Sequence, residues 1–309
     1  MLYKDWLCEW LKNYLRHSVK PKTYEQYREI VIKRLIPTFG CYEMTAISPL
    51  QVQKYIIELL QNGNLNTGEG LSVNSVSLII SVIQSSFETA LVLGIVNENS
   101  MDKIKRPKKY EKQITCFSSS EQKMIEQAVL NDKRDKMIGI MICLYTGLRI
   151  GELLSLEWTD IDFNKAELKI SKTCYDTKDE NGKHLRVTNA PKTLTSLRTI
   201  PIPKQLLPYL KTLQKQSKGN YVISNNSEYI SIRSYQRSFE LLLKKLNIPH
   251  RGFHSLRHTF ATRALECGMD VKTLSEVLGH KNPTVTLCRY AHSMTEHKRD
   301  MMNQLGRLI

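Results

Sequence analysis

The sequence predicts a mainly α protein of two domains: an all-α four-helix domain, then a mixed α+β domain of helices with a small antiparallel sheet. Three observations carry that expectation. Apolar residues recur at helical spacing through about the first hundred positions, with no strand-like alternation. A short basic stretch holding a proline, 105–115, interrupts that periodicity. Beyond it, two strand-like runs, AELKISKT (166–173) and LRTIPI (197–202), lie among further helical segments. A chain of 309 residues is long enough for two such domains, each with its own core.

Taken in order, residues 2–16 place Leu7, Trp10, Leu11, Tyr14 and Leu15 at helical spacing. A second helix fits 22–36, with Tyr24, Tyr27, Val31 and Leu35 on one side. Pro37 is expected to stop it, because proline removes a backbone donor. Ser48-Pro49 is a cap followed by proline at the first helical position, opening a third helix with Val52, Tyr55, Ile56 and Leu59. NGNLNTGEG is a loop, and a fourth helix over about 73–93 ends at Gly94. After the basic segment, Ser118 and Glu121 have capping-box spacing, and helices follow at about 119–130 and 134–145. The two strand runs flank a loop holding Lys192. A helix near 204–216, a short strand at 221–224, a helix at 233–246 and helices from 254 onward complete the chain.

Composition narrows the partners. The net charge is +15 and the isoelectric point about 9.4, which points to a polyanion. The excess is uneven: 10 basic and 10 acidic residues in 1–104, 5 and 1 in 105–115, and 30 and 19 in 116–309. Within KIKRPKKYEKQIT (103–115), the residues Lys103, Lys105, Arg106, Lys108 and Lys109 are the expected phosphate contacts of the connecting segment. Seven cysteines with no C-x-x-C pair suggest reduced thiols and a cytoplasmic location. The first residues, MLYKDWLCEW, mix charge into the apolar run and do not resemble a signal peptide. The apolar run near Ile138–Tyr145 is too short to span a bilayer, so no membrane partner is expected.

The stretch GFHSLRHTFAT (252–262) gathers His254, Arg257 and His258 within one helical turn, at i, i+3 and i+4. Four readings are open on these residues alone: a zinc site, a phosphate site, a nucleotide-handling patch, or a buried histidine beside a surface arginine. Zinc is weak, because Ser255 stands where H-E-x-x-H needs its glutamate and Arg257 would sit between the ligands. Phosphate gains from TGLRIGELLSL (146–156), which places Arg149 after a glycine turn at a helix start, with Glu152 as a ready ion-pair partner. Two planar guanidinium forks can hold both non-bridging oxygens of one phosphodiester and offset charge building at phosphorus. SEVLGHKNPTVTLCRYAH (275–292) then adds His280 and Tyr290.

The ordered series Arg149, Glu152, Lys192, His254, Arg257, His258, His280 and Tyr290 resembles the active-site set of the tyrosine recombinases, which include phage and conjugative-transposon integrases. The resemblance implies a core-binding domain at 1–104, a basic linker at 105–115 and a catalytic domain at 116–309 whose tail is 293–309. It implies a site-specific recombinase that integrates or excises a mobile element by way of a 3′-phosphotyrosyl intermediate, with no metal and no cofactor. By resemblance, Tyr290 is the nucleophile and Arg149 and Arg257 hold the phosphate. His254 assists as donor or base, His280 donates to a non-bridging oxygen and Lys192 protonates the departing 5′ oxygen. Glu152 orients Arg149, and His258 braces its helix.

The implied partners are double-stranded DNA attachment sites, accessory DNA-bending or excision factors, and further copies of the chain in a homotetramer on DNA. Exchange of the tail, with Met294, Met301, Met302 and Leu305 on one face, would join those copies. The ten-residue interval from His280 to Tyr290 fits element-borne integrases. An N-terminal arm-binding module, common in that group, is not expected within this chain. Two other classes remain on the sequence alone: a non-cleaving DNA-binding regulator on the same fold, and a type IB topoisomerase-like activity.

Overall fold

The computed structural model describes residues 1–109, 115–178, 184–189, 197–225, 228–280, 282–290 and 302–303, without the side chains of 178, 184, 225 and 288–290. The chain divides into two compact units, Met1–Lys112 and Gln113–Ile309. Helices dominate both, and among the described residues the small antiparallel sheets lie in the second.

The first unit is built on helical rods at 3–18 and 21–39 and on the helices Pro49–Asn62 and Val73–Val92. Its core is knit by aromatic side chains with polar handles. Tyr3 Oη is 2.8 Å from Ser86 Oγ, Trp6 Nε1 donates to Ser86 O at 3.0 Å, and Trp10 Nε1 donates to Thr89 Oγ1 at 3.0 Å. Each ring buries its apolar body while its one polar atom finds a partner, so the first helix is held to the fourth in a single register. Ser48 caps Pro49–Asn62 as a full box with Gln51. By length and composition alone, Val73–Val92 is apolar enough to cross a membrane, at mean hydropathy 1.5, and half of that window is buried in the protein. Its interspersed serines break the uninterrupted apolar run without breaking the helix, so the shorter Ile138–Tyr145 stretch stands out in the sequence instead.

One expectation fails in this unit. The second helix does not stop at Pro37: it runs through Val31–Leu35 as a π turn and on through Ile36–Phe39. A π turn carries one extra residue per turn, which shifts the backbone where a proline ring would otherwise clash.

In the second unit, Ser118 and Glu121 cap the Ser119–Leu130 helix reciprocally. The expected helix over 134–145 opens as a single 3₁₀ turn, Asp135–Met137, before Ile138–Thr146. A three-stranded sheet follows, of β1 (Ile161–Asp162), β2 (Glu167–Ile170) and, later in the chain, a strand at Arg198–Pro201, in the order first, second, last. The segment expected to be a loop instead contains a hairpin, β3 (Thr173–Lys178) and β4 (His184–Asn189), so Arg198–Pro201 is β5. The hairpin escapes period-2 analysis because of its strand residues only Cys174 is buried among those with described side chains. The short strand expected at 221–224 is a bridge at Tyr221 and a two-residue ladder, β6 (Ser224–Asn225) with β7 (Glu228–Tyr229). The helices Leu207–Gln216, Ile232–Lys245, His254–Glu266, Val271–Leu278 and Pro283–Tyr290 complete the unit. The tail face at Met294, Met301 and Leu305 lies outside the described residues.

Candidate active site

Two left-handed glycines set the geometry. Gly147 (φ 66°) ends Ile138–Thr146, and Gly279 (φ 65°) ends Val271–Leu278. Each lets the chain reverse without a Cβ penalty. A Cβ at Gly147 would come within 2.5 Å of the Phe260 ring, and one at Gly279 within 3.0 Å of Arg198 Nη1. Both turns are therefore closed to larger residues by conformation and by space.

The last carbonyls of a helix have no partner inside it and carry the negative end of its dipole. Here three successive carbonyls at the end of Val271–Leu278 each accept from a different arginine. Arg198 Nε donates to Val277 O at 2.6 Å, Arg257 Nη2 to Leu278 O at 2.7 Å, and Arg149 Nη2 to Gly279 O at 3.4 Å. Neighbouring Cα atoms are about 3.8 Å apart along a chain, so three guanidiniums from three distant segments converge on one short turn.

Arg257, on His254–Glu266, is 2% exposed. Its Nη1 donates to Gly147 O at 2.7 Å, and its Nη2 also meets His280 Nε2 at 2.9 Å. Gly147 O, Leu278 O and His280 Nε2 are dipoles rather than carboxylates, and such partners fix the fork without cancelling its charge. A guanidinium only donates, so Nε2 of His280 accepts. The ring proton then sits on Nδ1 and donates to Thr286 Oγ1 at 2.7 Å.

Arg149 caps the short Ile150–Leu153 helix. Its backbone N–H donates to Glu152 Oε2 at 2.9 Å and its Nη1 to Oε1 at 2.8 Å. Glu152 is buried and is gripped from the other side by Arg198, through Nη1 at 3.2 Å and Nη2 at 2.9 Å. Burial alone pushes the Glu152 carboxyl up. Hydrogen bonds and charge from Arg198, then charge from Arg149, outweigh it and bring the pKa down to about 2.

The sign of the pH effect follows. A carboxyl held below its ordinary value of about 4.3 stabilises the fold above that pH and loses the contribution as pH falls toward about 2. Glu152→Gln is expected to remove about 3 kcal/mol at neutral pH. Urea unfolding of wild type and variant at pH 7 and pH 3 checks this. The gap between them should narrow at the lower pH, and an equal gap at both would contradict the assignment.

Of the residues singled out in the sequence, the structure brings Arg149, Glu152, Arg257 and His280 together. His254 and His258, on the same helix as Arg257, set their rings edge to face with centroids 4.6 Å apart. Tyr290 ends the Pro283–Tyr290 helix, its side chain outside the described atoms. Lys192 lies outside the described residues altogether. Among the described residues, no group of three or more His, Cys, Asp or Glu is arranged to hold a metal ion. In the basic segment, Arg106 donates to Ser81 Oγ from both terminal nitrogens at 3.2 Å, which anchors it on Val73–Val92. The Lys105 backbone donates to Gln53 Oε1 at 3.0 Å, Lys103 lies 3.9 Å from Glu98, and Lys108 and Lys109 are exposed.

Arg198 and Thr286 were not singled out in the sequence. For Arg198 a signal existed: in LRTIPI, alternation puts it on the same strand face as Ile200 and Ile202, an arginine on an apolar face. Opposite it across the ladder stands buried Ile170.

A guanidinium cluster buried at Arg198 and Arg257 and partly open at Arg149, with an imidazole against it, has the chemistry to hold an anion. Residues 115–297 match the phage integrase family, and residues 2–60 match the N-terminal SAM-like domain of phage integrases. The chain belongs to the phage integrase family and is a tyrosine site-specific recombinase.

It is 31% identical over 334 aligned positions to a XerC-like tyrosine recombinase of Caldanaerobacter subterraneus subsp. tengcongensis, covering 99% of this chain and 83% of that one. It is 24% identical to the ICEBs1 integrase of Bacillus subtilis, over 94% of this chain and 79% of that one. In fold it resembles the Tn1549 transposon integrase solved in complex with a circular intermediate DNA, with TM-score 0.80, 22% identity and 99% of both chains covered. A lambda integrase dimer bound to a core site gives TM-score 0.71 at 20% identity, over 94% of this chain and 77% of that one.

Proposed function

We propose that the chain cuts and rejoins duplex DNA at the attachment sites of a mobile element, through a 3′-phosphotyrosyl intermediate on Tyr290. The observation that supports it most is the convergence of Arg149, Arg198 and Arg257 on successive carbonyls at 277–279. Among the described residues, Glu152 is the carboxylate that Arg149 and Arg198 share, and hydrogen bonds from the three guanidiniums to backbone carbonyls orient the donors before a phosphate arrives.

The chemistry follows from what the residues hold. The Tyr290 phenol oxygen attacks phosphorus and gives up its proton to a nearby base, the role assigned to His254. A phosphorus–oxygen ester forms on the tyrosine, the bond to the 5′ oxygen breaks, and Lys192 supplies the proton to the departing 5′-hydroxyl. Attack by the 5′-hydroxyl of another strand reverses these steps and frees the tyrosine. Bond energy is kept in the adduct, and catalysis reduces to positioning and charge stabilisation. Arg257 and Arg149 bind the non-bridging oxygens, while Glu152 and Arg198 hold Arg149 in place. With Nε2 accepting from Arg257 and the proton on Nδ1, His280 holds the Arg257 fork rather than donating to a non-bridging oxygen, the role expected of it from the sequence, and His258 supports His254. Lys103, Lys105, Lys108 and Lys109 contact flanking phosphates, whereas Arg106 serves mainly to seat the basic segment.

Homotetrameric assembly with exchange of the 293–309 tail, a cytoplasmic location and accessory DNA-bending factors belong to the same proposal. The lambda integrase tetramer solved on a Holliday junction, like this chain in fold, supports the assembly.

Duplexes nicked near candidate junctions test the chemistry: denaturing gels should show protein bound to a 3′ end. Affinity should fall about 10³-fold or more between 50 and 200 mM salt if six or more phosphates are contacted. Binding titrations across that range check this, and a flat profile would exclude a backbone-dominated interface.

A further inference from the structure

We infer that Thr286 is a positioning residue for the nucleophile: its buried hydroxyl, through His280, registers the helix bearing Tyr290 against the Arg257 fork. The inference rests on the proposal that Tyr290 attacks the phosphate.

Thr286 lies on Pro283–Tyr290 and is 0% exposed. A hydroxyl so placed is costly unless it is hydrogen-bonded. Its partner is His280 Nδ1 at 2.7 Å, and the opposite nitrogen of that ring accepts from Arg257 Nη2 at 2.9 Å. One imidazole therefore joins a buried arginine to the terminal helix by two short bonds. Tyr290 follows Thr286 by four residues, close to one helical turn, so whatever fixes Thr286 fixes the helix where the nucleophile leaves it.

The link also selects a tautomer. With Thr286 Oγ1 accepting, the proton stays on Nδ1 and Nε2 stays available to Arg257. Without the hydroxyl, the ring loses the acceptor that stabilises its Nδ1 proton, and the Arg257 contact is left to favour that tautomer. Arg257 then loses an assured acceptor, and the helix loses its tie. Attack on phosphorus is sensitive to such shifts, since a displacement of about 1 Å can cost about 10²-fold in rate.

The test compares Thr286→Val, which keeps the shape and removes the hydroxyl, with Thr286→Ser, which keeps the hydroxyl and removes the methyl. Single-turnover cleavage of a nicked duplex is measured on prebound DNA, below the melting temperature of every variant. Thr286→Val should cleave about 10- to 100-fold more slowly with DNA affinity unchanged. Thr286→Ser should recover to within a few fold of wild type. Nitrogen-15 shifts of the His280 ring should report the Nδ1–H form in wild type and Thr286→Ser and lose it in Thr286→Val.

Wild-type cleavage by Thr286→Val, or equal slowing in the serine variant, would overturn the role of Thr286. Should the valine variant fail to fold, Thr286→Ala takes its place with the same expectations. Tyr290→Phe is run alongside. If it forms no adduct while Thr286→Val cleaves normally, only Thr286 loses its role; an adduct on Tyr290→Phe removes the premise of both proposals.

Discussion

Tyr290→Phe is expected to bind DNA as wild type does and to yield no covalent protein–DNA product. The substitution removes one oxygen and keeps the ring, so packing and charge hardly change. What disappears is the only atom proposed to attack phosphorus. An unassisted phenol is a poor nucleophile at neutral pH, with a pKa near 10, and a phenyl ring is none. Nicked duplexes resolved on denaturing gels, with a filter-binding titration in parallel, separate the two effects. Covalent product from the variant would move the nucleophile elsewhere. A large loss of affinity would mean that the hydroxyl binds rather than reacts.

Arg257→Lys should slow cleavage by about 10²- to 10³-fold, the usual cost of removing one oriented donor from a charge-stabilising site. Charge is retained and geometry is lost. The guanidinium serves Gly147 O, Leu278 O and His280 Nε2 from two nitrogens in one plane. An ammonium is a single point on a flexible stem and cannot span those acceptors. Buried acceptors left unsatisfied cost about 1–3 kcal/mol each, so stability should fall as well. Single-turnover cleavage at saturating DNA and below the melting temperature isolates the catalytic part. Rates within a few fold of wild type would show that charge alone suffices and that the planar fork is unnecessary.

The fold was legible where its determinants are local. Ser48 with Pro49 and Ser118 with Glu121 announce helix starts, and the structure forms both boxes. Pro37 misled because a π turn two residues earlier is a tertiary solution with no local signature. The β3–β4 hairpin was hidden because strand pairing there does not depend on an apolar face: Asp176 opposes Arg186 across the ladder.

At the candidate site, Arg149, Glu152, Arg257 and His280 were picked out in the sequence, whereas Arg198 and the mutual support of the cluster were not. Nothing near Glu152 in sequence indicates that a residue 46 positions away shares its carboxylate. Equally, the backbone carbonyls that orient the guanidiniums carry no residue identity and leave no trace in composition.

The three acceptors at 277–279 are linked by covalent bonds, so they cannot move independently. A pull on that turn, from the chain beyond it or from a neighbouring molecule, is therefore felt by all three guanidiniums together, and their second anchors at Glu152 and Gly147 O resist it. Disturbance there should weaken the grip of the three in concert rather than one at a time.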